Sequence, residues 1–141
     1  MAGRGRGASA AWPLAARGQQ RMNRVWRIGY VGLGPATGRH VIAFRQGLRD
    51  LGYFEGQNFV LEHRDYTGRS DRLTDTVAGL VNLRVDVIRA EGSEATRAAQ
   101  QVTSSVPIVM TSTNPLGLGS VASLARPGGN VTGLGKFLRC I

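Results

Sequence analysis

The 141-residue sequence has a single cysteine, Cys140, next to its last residue. It therefore offers no disulfide framework and no cysteine cluster with the spacing of a structural zinc site. No apolar run approaches the roughly 18 residues that a membrane-spanning helix needs. The apolar stretches are about 4 to 8 residues long and end at Gly or Pro, as the strands of a buried sheet do. We therefore predict one domain of ordinary size without a membrane-spanning helix.

Acidic residues are scarce, with 9 Asp and Glu against 18 Lys and Arg, for a formal charge of +9. Six arginines lie in or just after the N-terminal arm with no acid among them: Arg4, Arg6, Arg17, Arg21, Arg24 and Arg27. Nine minus six leaves an excess of only +3 beyond residue 27, where arginines and acids are interleaved. That pattern is typical of a solvated surface, so we predict no nucleic-acid partner, although a basic arm that binds nucleic acid stays an alternative.

Residues 8–18 have arginines before them, a weakly apolar middle and small residues at Ala16 and Gly18, as the end of a secretory signal does. The middle is rich in alanine and is interrupted by Pro13. Two interpretations of residues 1–24 stay open, a degraded signal segment and a disordered basic arm.

From Val25 onward, strand-like and helix-like periodicities alternate, which favours βα units and a parallel sheet. The predicted strands are Arg27–Gly32, Asn58–Asp65, Val85–Arg89, Ile108–Ser112 and Val131–Leu134. The predicted helices are His40–Leu51, Ser70–Leu83, Glu94–Val102 and Gly119–Ala125, with Ser70 or Asp71 capping the second and Ser93 the third. Right-handed crossovers then predict a doubly wound α/β sheet with strand order 2-1-3-4-5.

Ligands of doubly wound sheets bind at the carboxyl ends of the strands. Here that edge comprises residues 33–37, 91–96 and 111–116. Ser93 opens a helix whose free N–H groups attract a polar or anionic group, whereas Glu91 and Glu94 suit an ammonium group better. The segment after the fourth strand offers three hydroxyls and one amide, which suit an amino-acid zwitterion: Thr111, Ser112, Thr113 and Asn114. The simpler alternatives are that Ser93 only caps its helix and that Asn114–Pro115 only forms a turn.

Six segments resemble, in order and spacing, the substrate-binding proteins of ABC transporters with a type I periplasmic-binding-protein fold, in the branch of tryptophan and tyrosine receptors. They are Arg27–Gly32, Phe44–Tyr53, Glu55–Asn58, Val85–Ile88, Pro107–Met110 and Ser123–Leu134. The resemblance covers about residues 11 to 135. It implies a periplasmic receptor for an amino acid or similar small polar solute, with an ABC permease as partner and no cofactor.

The resemblance also implies a division of the chain. Residues 25–134 correspond to the N-terminal lobe, 1–24 to a degraded signal-like arm, and 135–141 to a tail outside the family pattern. Family members carry a second lobe, so this chain is expected to be truncated and to bind weakly or not at all alone. The resemblance makes the loop at Leu33 and Gly34 part of the cleft.

The residues themselves also suggest an alternative function, because the loop Gly32–Gly38 superficially resembles a dinucleotide-binding turn. Its third glycine is one position late, and Pro35 lacks the N–H that a pyrophosphate would need. A nucleotide-binding α/β domain or a non-functional remnant stays the alternative function. His40 and His63 have no partners in sequence that indicate a metal or a catalytic triad, so both are expected on the surface and no enzymatic activity is predicted.

Overall fold

The computed structural model describes residues 24–112 and 129–135. Its five strands are β1 (Trp26–Gly32), β2 (Phe59–Asp65), β3 (Val87–Glu91), β4 (Ile108–Ser112) and β5 (Val131–Gly135). They form one parallel sheet in the order β2-β1-β3-β4-β5. The predicted α/β class and strand order are therefore confirmed.

The described helices are α1 (Arg39–Asp50), α2 (Leu73–Asn82) and α3 (Ser93–Val102), and a 3-10 turn (Ser70–Arg72) leads into α2. Four predicted strands agree with the structure to within one residue at each end, whereas β3 begins at Val87 and not at Val85. The predicted fourth helix, Gly119–Ala125, lies outside the described residues. None of the described helices is long and apolar enough to cross a membrane.

Two predicted helix caps are wrong. Ser70 and Asp71 both lie in the 3-10 turn, so the position before α2 is occupied by Arg72, which makes no side-chain capping bond. Ser93 is the first residue of α3, and Gly92 holds the cap position with a φ of 88°. The predicted stop at Gly52 is confirmed: its φ is 89°, its N–H donates to the Arg49 carbonyl, and α1 ends at Asp50.

The core lies on both faces of the sheet. One cluster joins α2 and α3 to strand residues that include Val31, Ile88 and Met110. A smaller cluster on the other face joins α1, through Val41, to Tyr30 and neighbouring residues of β1 and β2. Because side chains alternate along a strand, Tyr30 and Val31 belong to opposite faces.

On the α1 side, the sheet is covered unevenly. The register places Tyr30, Arg89 and Val109 side by side across β1, β3 and β4. No described helix covers β4 and β5 on this side, and Val109 is 39% exposed and Leu134 77% exposed. Strands of parallel sheets are usually buried on both faces, so this half of the sheet is open to contact with a further segment.

Candidate functional site

The carboxyl ends of β1, β3 and β4 meet at one edge, because the strands are parallel and adjacent. The segment after β3 is tied to β4 at this edge, since the Gly92 N–H donates to the Thr111 carbonyl at 2.8 Å. The segment after β2 is tied to β1, since the Tyr66 N–H donates to the Gly32 carbonyl at 3.1 Å. The edge therefore brings together the segments that contain Leu33, Ser93 and Thr111.

The loop after β1 presents an exposed leucine and a backbone donor that is already hydrogen-bonded. Leu33 is 56% exposed. Gly34 has a φ of 91°, and its N–H donates to Asp65 Oδ1 at 2.9 Å and to Thr67 Oγ1 at 3.0 Å. A pyrophosphate would have to displace the Asp65 carboxylate from this N–H, which is unfavourable for an anion and argues against the dinucleotide-binding alternative.

The segment after β3 places two predicted site residues in the first turn of α3. Ser93 is partly buried, and Glu94 is exposed and accepts a hydrogen bond from Ser70 Oγ at 3.0 Å. The Glu94 carboxylate near the helix N-terminus is stabilised by the helix dipole but repels a ligand carboxylate. This end of the site therefore suits a hydroxyl, an amide or an ammonium group.

The predicted residues after β4 are only partly described. Thr111 is partly buried, and its backbone carbonyl accepts a hydrogen bond from the Gly92 N–H at the edge. Ser112 ends β4, where its backbone pairs with Gly135 of β5. Thr113 and Asn114 lie outside the described residues, so their place at the site stays a prediction.

A polar cluster under the edge was missed by the sequence reasoning. Tyr30 OH donates to Glu91 Oε2 at 3.2 Å, and the Arg89 guanidinium lies over the Tyr30 ring at 4.7 Å. Arg89 Nη1 is 3.9 Å from the same Glu91 oxygen. Glu91 thus already has a hydrogen-bond donor and a cation beside it, so its carboxylate would attract a ligand ammonium group less strongly. Burial raises the pKa of Tyr30 to about 12, so its hydroxyl keeps its proton at neutral pH.

The prediction that His63 is a surface residue is wrong. His63 is partly buried and stacks on Tyr30, with ring centroids 5.5 Å apart. Its Nε2 is buried without a hydrogen-bond partner, and burial lowers the pKa of the imidazole below its usual value. The imidazole is therefore uncharged at neutral pH, and its buried Nε2 bonds to no hydroxyl in the described part of the chain. His40, by contrast, is exposed as expected.

A cavity of about 260 Å³ lies beside the edge, between the N-terminal part of α2 and α3. Its lining residues are Ser70, Leu73, Thr74, Glu94, Arg97, Ala98 and Gln101. Of the predicted site residues only Glu94 borders it. Within residues 24–112 and 129–135, no cluster of three or more His, Cys, Asp or Glu is arranged to hold a metal ion. The described edge therefore combines hydroxyl groups, charged side chains and the exposed apolar side chain of Leu33.

Known proteins share this sequence and fold. Residues 32–139 match the model of the family described as ABC transporter substrate binding protein. A tyrosine-binding protein of Clostridioides difficile (strain R20291) is 30% identical over 105 residues, which are 74% of this chain and 30% of that protein. The chain thus spans less than a third of the length of this relative.

Solved structures share the fold over a similar part of their length. A ligand-free, open substrate binding protein with adhesive properties from Clostridium difficile superposes with a TM-score of 0.72 and 23% identity, over 83% of this chain and 40% of that one. An ABC domain in complex with L-Trp from Streptococcus pneumonia superposes with a TM-score of 0.66 and 23% identity, over 78% of this chain and 38% of that one. A conserved domain protein from Vibrio cholerae superposes with a TM-score of 0.66 and 29% identity, over 80% of this chain and 38% of that one. The sequence match, which covers most of the chain, and the shared sheet lead to one conclusion: this chain belongs to the family of ABC transporter substrate binding proteins.

Proposed function

We propose that this chain forms one lobe of the solute-binding component of an ABC-type importer, and that its solute is an amino acid or a similar small polar molecule. The observation that supports the proposal is that the segments containing Leu33, Ser93 and Thr111 lie at one carboxyl edge of the sheet. An exposed leucine at the same edge as two hydroxyl-bearing segments suits a solute that has an apolar side chain and a polar backbone end. The relatives point the same way, since one is named as tyrosine-binding and another was solved with L-Trp.

In this proposal, residues 25–134 act as a lobe that supplies part of the contacts to the solute. A second lobe of the longer receptor closes over the same edge by a hinge motion, and the closed form engages the permease. In this proposal, a further segment of the longer receptor packs on the α1 side of β4 and β5, where Val109 and Leu134 are exposed. The receptor works outside the cytoplasmic membrane, in the periplasm of a cell that has one.

Splitting the binding energy between two lobes predicts the affinity of this chain alone. A micromolar Kd corresponds to about 8 kcal/mol, and half of that, about 4 kcal/mol, corresponds to a millimolar Kd. The chain itself catalyses no reaction in this proposal, as is general for substrate-binding proteins. A non-functional remnant would show no binding at all, and a nucleotide-binding domain would respond to a dinucleotide instead.

The test is an NMR titration of the ¹⁵N-labelled 141-residue chain with L-tryptophan, L-tyrosine, NAD and glucose. We expect millimolar, saturable shifts of the amides around Leu33, Ser93 and Thr111 with at least one of the amino acids and none with glucose. Ser93→Ala should weaken that binding, whereas Ser104→Ala, an exposed serine before β4 at the opposite edge, should not. Absence of shifts with both amino acids, or shifts only with NAD, would refute the proposal.

A further inference from the structure

The segment Asp65–Thr67, at the end of β2, forms hydrogen bonds to two of the candidate ligand segments. One carboxylate oxygen, Asp65 Oδ1, accepts three hydrogen bonds: from the Gly34 N–H at 2.9 Å, the Thr67 N–H at 2.9 Å and the Thr67 hydroxyl at 2.7 Å. Tyr66 OH donates to the Glu91 carbonyl at 2.9 Å. The segment is thus bonded to the loop after β1 through Asp65 and Thr67, and to the end of β3 through Tyr66.

The position of Asp65 follows from the sheet register. Gly32 and Asp65 are paired at the ends of β1 and β2, so the aspartate lies beside the point where the chain leaves β1. Gly34 then turns with a φ of 91° and directs its N–H back to the carboxylate. The other end of the loop is held from α1, because Arg45 Nη1 donates to the Ala36 carbonyl at 2.7 Å. Asp65 and Thr67 are therefore the anchors on the side of the loop nearest to Leu33.

We propose that Asp65 is a positioning residue, which holds the loop at Leu33 and Gly34 in the conformation that receives the solute. The proposal rests on the proposed function, because it assumes that this loop contacts the solute. Asp65 does not touch the solute in this role. It accepts the Gly34 N–H, so this donor is occupied, and the exposed Leu33 side chain is the group next to it that contacts the solute.

The electrostatics of Asp65 agree with this arrangement. The hydrogen bonds from the Thr67 hydroxyl, the Thr67 N–H and the Gly34 N–H hold the pKa of the Asp65 carboxyl below its usual value. The carboxylate is solvent-exposed, so the three donors and not burial keep it ionised. At neutral pH the anchor is therefore present in its charged form, which makes the stronger hydrogen bonds.

The test compares three variants of the 141-residue chain with the wild type. Asp65→Ala removes the acceptor, and Thr67→Val removes the bridging hydroxyl with little change of shape. Asp86→Ala is the matched control, because Asp86 also accepts a backbone N–H, from Arg27 at 2.8 Å, but lies at the opposite edge of the sheet. Each protein is titrated with L-tryptophan and L-tyrosine by NMR, and the amide shift and hydrogen exchange of Gly34 are recorded without ligand.

We expect Asp65→Ala to move the Gly34 amide upfield, to speed its exchange and to weaken amino-acid binding by about tenfold, as when the competent loop population falls to about one tenth. Thr67→Val should act in the same direction with a smaller effect, and Asp86→Ala should bind as the wild type does. If Gly34 loses protection while binding is unchanged, the positioning role is wrong and the proposed function stands. If Gly34 is unchanged in both variants, the role is also wrong. If the wild type binds neither amino acid, the proposed function fails, and the inference fails with it.

Discussion

Glu91 occupies the space that a side chain on Gly32 would need. A Cβ built on Gly32 would lie 2.5 Å from Glu91 Oε2 and 2.6 Å from Tyr30 Cε1. The two positions are neighbours at the ends of β1 and β3, and the absence of a side chain on Gly32 lets the carboxylate reach the Tyr30 hydroxyl. The glycine thus shapes the edge at which the candidate ligand loops begin.

Replacing Gly32 by alanine should destabilise the fold by about 1–2 kcal/mol, because the fully buried Tyr30 cannot retreat and Glu91 must give up its hydrogen bond. The measurement is urea unfolding followed by circular dichroism. The control is Gly47→Ala, at an exposed position of α1 with no atom near the added Cβ, which should stabilise the protein by about 0.5–1 kcal/mol. The double variant Gly32→Ala/Glu91→Ala should recover part of the loss, and a fully stable Gly32→Ala would contradict the packing described.

Gly133 of β5 should tolerate substitution even less than Gly32. Its φ is 152°, and an added Cβ would overlap the carbonyl oxygen of Met110 in the neighbouring strand. Backbone cannot move aside without breaking the pairing of β4 with β5. Gly133→Ala should therefore cost more than Gly32→Ala and should speed hydrogen exchange along β4 and β5 selectively. Thr132→Ala, at the exposed position next to it, serves as the control and should leave that exchange slow.

Asn130 joins the start of β5 to the loop between α3 and β4. Its Nδ2 donates to the Val106 carbonyl at 2.7 Å and to the Thr103 carbonyl at 3.2 Å. Asn130→Asp keeps the shape but removes both donors and brings a carboxylate to two carbonyl oxygens, so we expect a loss of about 1–3 kcal/mol at pH 7. Two carbonyl oxygens beside the new carboxyl raise its pKa above the value of about 3.9 in the unfolded chain, and its protonation restores one donor, so the deficit relative to the wild type should shrink as the pH falls from 7 to about 4. An equal deficit at both pH values would show that the two carbonyls do not depend on this side chain.

His63 should make the fold sensitive to mild acid. Burial places the pKa of its imidazole below the value of about 6.5 in the unfolded chain, so the unfolded state binds the proton first as the pH falls. The free energy of unfolding should therefore decrease as the pH is lowered below about 6.5, and His63 should contribute no pH dependence above that value. His63→Phe keeps a ring against Tyr30 but removes the titration, so its stability should change less between pH 7 and pH 5. A wild type that is as pH-sensitive as this variant over that range would disprove the assignment.

The order of the strands and the limits of most elements were accessible from the sequence, because they depend on local periodicity and on a few stop signals. The spacing of apolar residues marked α1, and Gly52 marked its end through a backbone conformation that other residues adopt poorly. The right-handed crossover rule then converted a list of elements into the order 2-1-3-4-5, so that the segments containing Leu33, Ser93 and Thr111 were expected at one edge. The cap predictions at Ser70 and Ser93 failed because a helix start can shift by a turn or a residue when a 3-10 turn or a glycine precedes it.

Contacts between residues far apart in sequence were decided by the tertiary structure alone. Nothing in the sequence distinguishes His63 from an exposed strand residue, and it is partly buried because the register places it beside Tyr30. Asp65 ends a strand like many aspartates, and only the pairing of β1 with β2 brings its carboxylate to the Gly34 N–H. The sequence thus determined which segments form the edge, since periodicity and turn chemistry are local. The fold decided which polar groups at the described part of that edge are hydrogen-bonded to one another, since hydrogen bonds across strands depend on register.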